Sequence, residues 1–290
     1  MNRGVVYAIL AYAIWGLFPA YWKWLQVVPP LQVISHRVLW SWLILVAVVA
    51  VTGRWRAMHA AAAPRVLGLY LLAALLISIN WLIYVWAVNS GHIVETSLGY
   101  FINPLFSVLI GVVFLRERLQ PWQWLPIALA AGGVAYLTAI YGSLPWIALA
   151  LAGSFACYGL VKKKAPLNSL FGLTFETGLL LPVALLYLAN AERTGSGAFL
   201  HSDMTTNLLL VGAGFVTTAP LLLFASAAPQ IPLTVMGILQ YIAPTLQFLL
   251  GILVYKEPFS EEQLIGFGMV WAALIIFAVG GLLARRARAI

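Results

Sequence analysis

Between Val5 and Leu283 the chain returns ten times to apolar runs of roughly 17 to 25 residues, the length a helix needs to cross a bilayer. They lie at about 4–24, 31–52, 66–88, 94–115, 121–140, 144–162, 169–189, 205–227, 232–254 and 262–284. Each is too long for a barrel strand and lacks strict alternation. Helices are therefore expected, since a helix satisfies its own backbone groups in lipid. Composition agrees: 63% of residues are apolar and 8% charged, against about 45–50% and 25% in soluble domains. The expected fold class is an all-α integral membrane protein with ten transmembrane helices.

The net charge of +8 does not point to nucleic acid, because the basic residues sit at the ends of apolar runs, where they orient helices. With the N-terminus placed in the cytoplasm, Arg3, Arg54, Arg56, Arg65, Arg116, Arg118, Lys162, Lys163, Lys164, Arg285, Arg286 and Arg288 fall on the cytoplasmic side. Lys23, Arg37, Arg193 and Lys256 fall on the other. Twelve against four supports both the number of spans and cytoplasmic termini, because a missed span would reverse the bias beyond it. Trp22, Trp24, Trp55, Trp122, Trp124 and Trp146 lie near span ends, as interfacial anchors do. The single Cys157 excludes an intrachain disulfide and a cysteine metal site, and reads as a packing residue.

Shifting the chain against itself by 140 residues lays Tyr100-Phe101-Ile102-Asn103-Pro104 over Gln240-Tyr241-Ile242-Ala243-Pro244. The same register matches Gly111 with Gly251, Arg116-Glu117 with Lys256-Glu257, Ala87 with Ala227 and Tyr84 with Phe224. Two related halves follow, about 1–140 and 144–290, each with five spans. Five is odd, so the second half enters the membrane in the opposite sense. Secondary transporters use such inverted repeats to place a site near the midplane between halves.

Phe101-Ile102-Asn103-Pro104 with Phe114-Leu115-Arg116-Glu117, and Tyr241-Ile242-Ala243-Pro244 with Tyr255-Lys256-Glu257, resemble the EamA repeat of the drug/metabolite transporter (DMT) superfamily. Trp15-Gly16, Ser35-His36-Arg37-Val38, Asn80-Trp81, Trp86-Ala87-Val88-Asn89, Ser97 to Leu105 and Gln240-Tyr241-Ile242 resemble, more closely, RarD proteins. The resemblance covers nearly the whole chain. It implies a ten-helix carrier of the bacterial inner membrane that moves small organic molecules by alternating access. The association of RarD proteins with chloramphenicol does not fix a substrate, because fold does not fix function.

Polar groups at membrane depth are costly and usually face a cavity or a partner. The candidates for a substrate or ion pathway are His36, Arg37, Asn80, Tyr84, Glu95, Tyr100, Asn103, Tyr158, Glu176, Gln240 and Tyr241. Arg37 reads as a fixed cation for an acidic substrate group, as a partner to Glu176 or Glu95, or as a helix-end arginine reaching the interface. Glu176 reads as a proton-coupling carboxylate or as half of a structural ion pair. His36 is a switch near neutral pH or a packing residue, and Glu95 a pathway residue or a solvated one. Trp15, Tyr84, Tyr100, Tyr158 and Tyr241 offer aromatic walls to a flat amphipathic solute. The repeat-matched Pro104 and Pro244 each remove a helix donor and mark kinks suited to gating.

Three function classes remain. A secondary carrier, exporter or exchanger, of small metabolites or amphipathic drug-like molecules suits the repeat best. A membrane-embedded enzyme lacks support, since no His-Glu-x-x-His or Gly-x-Ser-x-Gly motif occurs and the lone Asp203 falls in the 190–204 loop. A channel or structural subunit calls for a continuous polar lining that the runs do not suggest. No Walker-type loop, metal site or cofactor motif is present. The expected partners are a small-molecule substrate, coupled protons, membrane lipid and, in a homodimer, a second copy of the chain.

Overall fold

A computed structural model describes residues 2–89, 93–141, 146–255 and 261–287. In chain order the helices are α1 (Arg3–Gly16), α2 (Phe18–Trp24), α3 (Pro30–Val51), α4 (Trp55–Ala60), α5 (Pro64–Asn89), α6 (Ile93–Leu115) and α7 (Trp124–Tyr141). Then follow α8 (Trp146–Lys164), α9 (Ser169–Arg193), α10 (Met204–Ala227), α11 (Leu233–Gln240), α12 (Ile242–Leu249) and α13 (Glu261–Ala287). A 3₁₀ turn, Pro121–Gln123, leads into α7, and a π-helical turn, Leu250–Val254, follows α12. Among the described residues there is no strand. Among the described residues, seven helical stretches are long and apolar enough to cross a membrane by length and composition. The chain is a multi-pass membrane protein.

Local chemistry sets the helix ends. Asn2, Asn168 and Asp203 each accept N–H groups of the first turn they precede, and Pro30 opens α3. Proline interrupts the runs that sequence periodicity reads as single spans. Pro19 has no N–H for the carbonyl of Trp15 four residues back, the chain breaks into α1 and α2, and the side-chain amide of Gln247 donates to that carbonyl at 3.2 Å. Pro244 likewise deprives Gln240, and the run 232–254 becomes α11, a break at Tyr241, α12 and the π turn. Pro104 is accommodated inside a continuous α6.

Neighbouring helices come mostly from opposite ends of the chain. α1 packs on α10, α11 and α12; α8 packs on α5 and α6; α3 lies against α9 and α10, α6 against α11, and α7 against α13. The α3–α10 crossing is close enough that a Cβ on Gly214 would overlap Trp40. Because lipid gives helices no reason to separate from it, such tight packing and a few buried polar contacts hold the bundle. Ser41 donates to the Gly214 carbonyl at 3.1 Å at this crossing.

Candidate functional site

At the centre of the bundle a cavity of about 230 Å³ is lined from both halves of the chain. Its polar wall is Arg37, Asn80, Tyr84, Tyr100, Asn103, Gln240 and Gln247, and its aromatic wall includes Trp15, Phe18, Trp22, Trp81 and Phe155. Arg37 holds the middle. Its Nε donates to Thr217 Oγ1 at 2.9 Å, and its guanidinium lies 4.4 Å from the Trp81 ring and 4.8 Å from Trp22. Among the described residues its neighbours are thus a hydroxyl and two π faces, not a carboxylate. The hydroxyls of Tyr84 and Tyr100 are hydrogen-bonded to each other.

Asn80 is fixed by α8, donating to the Leu151 carbonyl at 2.9 Å and to Ser154 Oγ at 3.0 Å. Asn103 is 4% exposed, and its Oδ1 has no hydrogen-bond partner among the described residues. A buried acceptor left unsatisfied is costly, so this oxygen is suited to a donor that a guest would bring.

Glu176 belongs to a second, tighter cluster. Lys162 Nζ donates to its Oε1 at 2.5 Å, and the Tyr158 hydroxyl donates to its Oε2 at 3.1 Å. The Lys162 and Glu176 side chains are only 2% and 4% exposed, and the Tyr70 ring lies 5.5 Å from Lys162 Nζ. A space of about 10 Å³ touches Glu176 and Tyr158 and shares Arg37, Ile77, Trp81 and Leu221 with the large cavity. That is roughly the room one water requires.

Several sequence expectations change here. The partner of Glu176 is Lys162, not Arg37, and Lys162, counted in the sequence only among the cytoplasmic basic residues, is an interior residue. His36, one residue from Arg37, turns away from the cavity and packs against Phe199 with ring centroids 5.1 Å apart. Tyr158 stacks on Phe224 outside the large cavity, and Tyr241 is wholly buried between α7, α8 and α13. Trp22, expected as an interfacial anchor, is a cavity wall. Pro244 lines the cavity and Pro104 does not. The side chain of Glu95 lies outside the described residues.

Sequence reasoning missed Lys162 and the indoles that face Arg37. A signal for Lys162 existed: Tyr158 and Lys162 are four residues apart and share a helix face.

The EamA-like transporter family matches residues 2–139. An uncharacterized transporter of Vibrio cholerae serotype O1 is 45% identical across 99% of this chain and 97% of its own length. Protein RarD of Escherichia coli K12 is 42% identical over 98% and 97%. Chloramphenicol-sensitive protein RarD of Pseudomonas aeruginosa is 32% identical over 95% and 93%. A solved crystal structure with 17% identity superposes at a TM-score of 0.72 over 98% of this chain and 99% of that one, which establishes a shared fold. With the apolar helices and these full-length relatives, the chain belongs to the EamA-like transporter family, among its RarD-like members.

Proposed function

We propose that this chain is a secondary carrier of the bacterial inner membrane, an exporter or exchanger that moves small organic solutes by alternating access. Its ten spans form two inverted five-helix repeats, about 1–140 and 144–290, with both termini cytoplasmic. The helix neighbours support this symmetry. Exchanging the halves turns the α1–α10 contact into α8–α5 and the contacts of α1 with α11 and α12 into α8–α6, while α3–α9, α6–α11 and α7–α13 map onto themselves. The contacts between loops also support the alternation of the loops between two faces. Lys163 meets Ile231 and Leu167 meets Tyr70 on the face expected inside, and Gln32 meets Ser196 and Ala198 on the face expected outside.

The observation that carries the proposal is a cavity shared between halves and built around Arg37, a cation with no ion pair to a carboxylate among the described residues. Arg37 binds the acidic end of the solute, the indoles of Trp22 and Trp81 cover a flat apolar body, and Asn103 accepts from a donor. At about 230 Å³ the cavity lies below the roughly 300–1,000 Å³ typical of drug-sized sites. A compact metabolite with a negative end therefore fits better than a larger drug. Glu176 serves proton coupling: protonating it releases Lys162 at a point one water away from Arg37.

The test is counterflow in proteoliposomes of the purified protein, screened with aromatic carboxylates, small metabolites and chloramphenicol, with and without a proton gradient. Saturable counterflow, with pH dependence lost in Glu176→Gln, is expected. Nonsaturating conductance, or product formation without a gradient, overturns the carrier reading; an unchanged pH profile in Glu176→Gln overturns the coupling role alone.

A further inference from the structure

The Arg116-Glu117 pair, part of the repeated motif, lies outside the cavity, and its geometry has a purpose of its own. α6 ends in a reversal in which Arg116 adopts φ 54° and the Glu117 N–H donates to the Gly111 carbonyl at 3.0 Å. The reversal throws the Glu117 side chain back across α6 toward the other half of the protein. Its Oε1 accepts the Leu233 N–H at 2.7 Å and its Oε2 the Thr234 N–H at 2.9 Å. These are the first N–H groups of α11. The residue before them is Pro232, which has no capping side chain, so Glu117 caps α11 in trans. A Cβ on Gly111 would sit 2.7 Å from Glu117 Oε2, so glycine there keeps the path open.

Lys163 completes the contact. Its Nζ donates to the Ile231 carbonyl at 2.6 Å and to Ala228 at 3.4 Å, and lies 3.7 Å from Glu117 Oε1. One carboxylate and one ammonium thus fasten the end of α10 and the start of α11 to α6 and α8. What they fasten is a lever. α11 has only eight residues, about 12 Å of helix, and its far end is Gln240 in the cavity wall, followed by the break at Tyr241 and Pro244.

We propose that Glu117 is a gating residue: its carboxylate clasps the cytoplasmic end of α11 and holds the inner side of the cavity shut, and letting go allows α11 to swing about the Tyr241 break. This rests on the carrier reading above. The clasp holds the Leu233 and Thr234 N–H groups, and neither these residues nor Glu117 line the cavity, so its loss alters access to the cavity rather than its binding chemistry.

The experiment places a reporter thiol in the cavity wall, Ala243→Cys in a Cys157→Ser background, and labels it with a membrane-impermeant maleimide from each face of oriented vesicles. Glu117→Gln removes the charge and one acceptor. It is expected to raise cytoplasmic labelling about tenfold, the population shift from weakening one charge-assisted hydrogen bond. Gly111→Ala, which displaces the carboxylate without altering it, is expected to act in the same direction and serves should Glu117→Gln fail to fold. Unchanged cytoplasmic labelling in the folded variants, with counterflow intact in the parent, overturns the clasp and leaves the carrier standing. Absence of saturable counterflow in the folded parent removes the carrier reading and the clasp with it.

Discussion

Two interior cations have opposite surroundings: Arg37 lines the narrow space directly, and Lys162 reaches it only through its partner Glu176. Lys162 is locked to Glu176 at 2.5 Å, with Tyr158 on the second carboxylate oxygen. Arg37 rests on Thr217 and the faces of Trp22 and Trp81, at the edge of a cavity of about 230 Å³. A charge neutralised within the protein leaves little of its field for a guest, so until Glu176 is protonated the pair acts on the scaffold alone. A charge steadied by a hydroxyl and π faces is positioned without being neutralised, so its strongest interaction is still open to a solute. Ile77, Trp81 and Leu221 line both the large cavity and the small space that Glu176 touches.

The largest expected effect comes from breaking the locked pair. Lys162→Met strands the Glu176 carboxylate in the interior, at a cost of about 3–5 kcal/mol. A large fall in the thermal unfolding temperature in detergent is expected. Lys162→Met combined with Glu176→Leu is expected to recover most of it, since two apolar residues leave no buried charge. A single variant as stable as the parent would show that Glu176 is neutral in the resting protein, and the contrast with Arg37 would fail.

Arg37→Gln should behave the other way. Its loss strands no carboxylate among the described residues, so the unfolding temperature is expected to fall much less than in Lys162→Met. The KM for an acidic solute is expected to rise by about tenfold or more, as when a charged hydrogen-bond partner is removed. Arg37→Lys is expected to rescue only in part, because an ammonium cannot reproduce a planar fork stacked on two indoles. If instead both Arg37 variants unfold like Lys162→Met, Arg37 is a structural residue and the two regions are alike.

The contrast explains what could be read from the sequence. Depth was legible: Arg37, Asn80, Tyr84, Tyr100, Asn103 and Gln240 were noticed as polar or amphipathic residues within apolar runs, and they meet at one cavity. Azimuth was not. Successive helical residues point about 100° apart, and the sequence does not say which of two neighbours faces inward: Asn80 and Trp81 both line the cavity, whereas His36 beside Arg37 packs on Phe199 and Tyr241 beside Gln240 joins the cluster of α6, α7, α8 and α13 residues. Lys162 was hidden by company. Three consecutive lysines at a helix end enter the sequence argument only as a count of cytoplasmic charge, yet they sweep about 200° of the helix, and in a crowded bundle one of them meets a neighbour. The helix caps at Asn2, Asn168 and Asp203 were local and hence legible in principle, whereas the trans cap on α11 joins residues 116 and 117 positions apart and follows no local rule.

Asp203 sets the lower end of the scale, a carboxylate whose work is done in water. The Thr206 hydroxyl donates to it at 2.5 Å, and the Thr206 and Thr205 N–H groups add further bonds, so its carboxyl is held below the usual range. A carboxylate depressed in the folded state contributes stability above its unfolded pKa, and that contribution fades as pH falls through the folded value. Asp203→Ala is therefore expected to lower the unfolding temperature slightly at neutral pH, by less than either Arg37→Gln or Lys162→Met. The difference from the parent should close on acidification. Asp203→Asn keeps the capping oxygen without the charge, so it should lie between the two at neutral pH and show no such closing. If Asp203→Ala instead costs as much as Lys162→Met, burial is not what makes the Glu176 pair expensive to break, and the distinction between locked and waiting charges loses its physical basis.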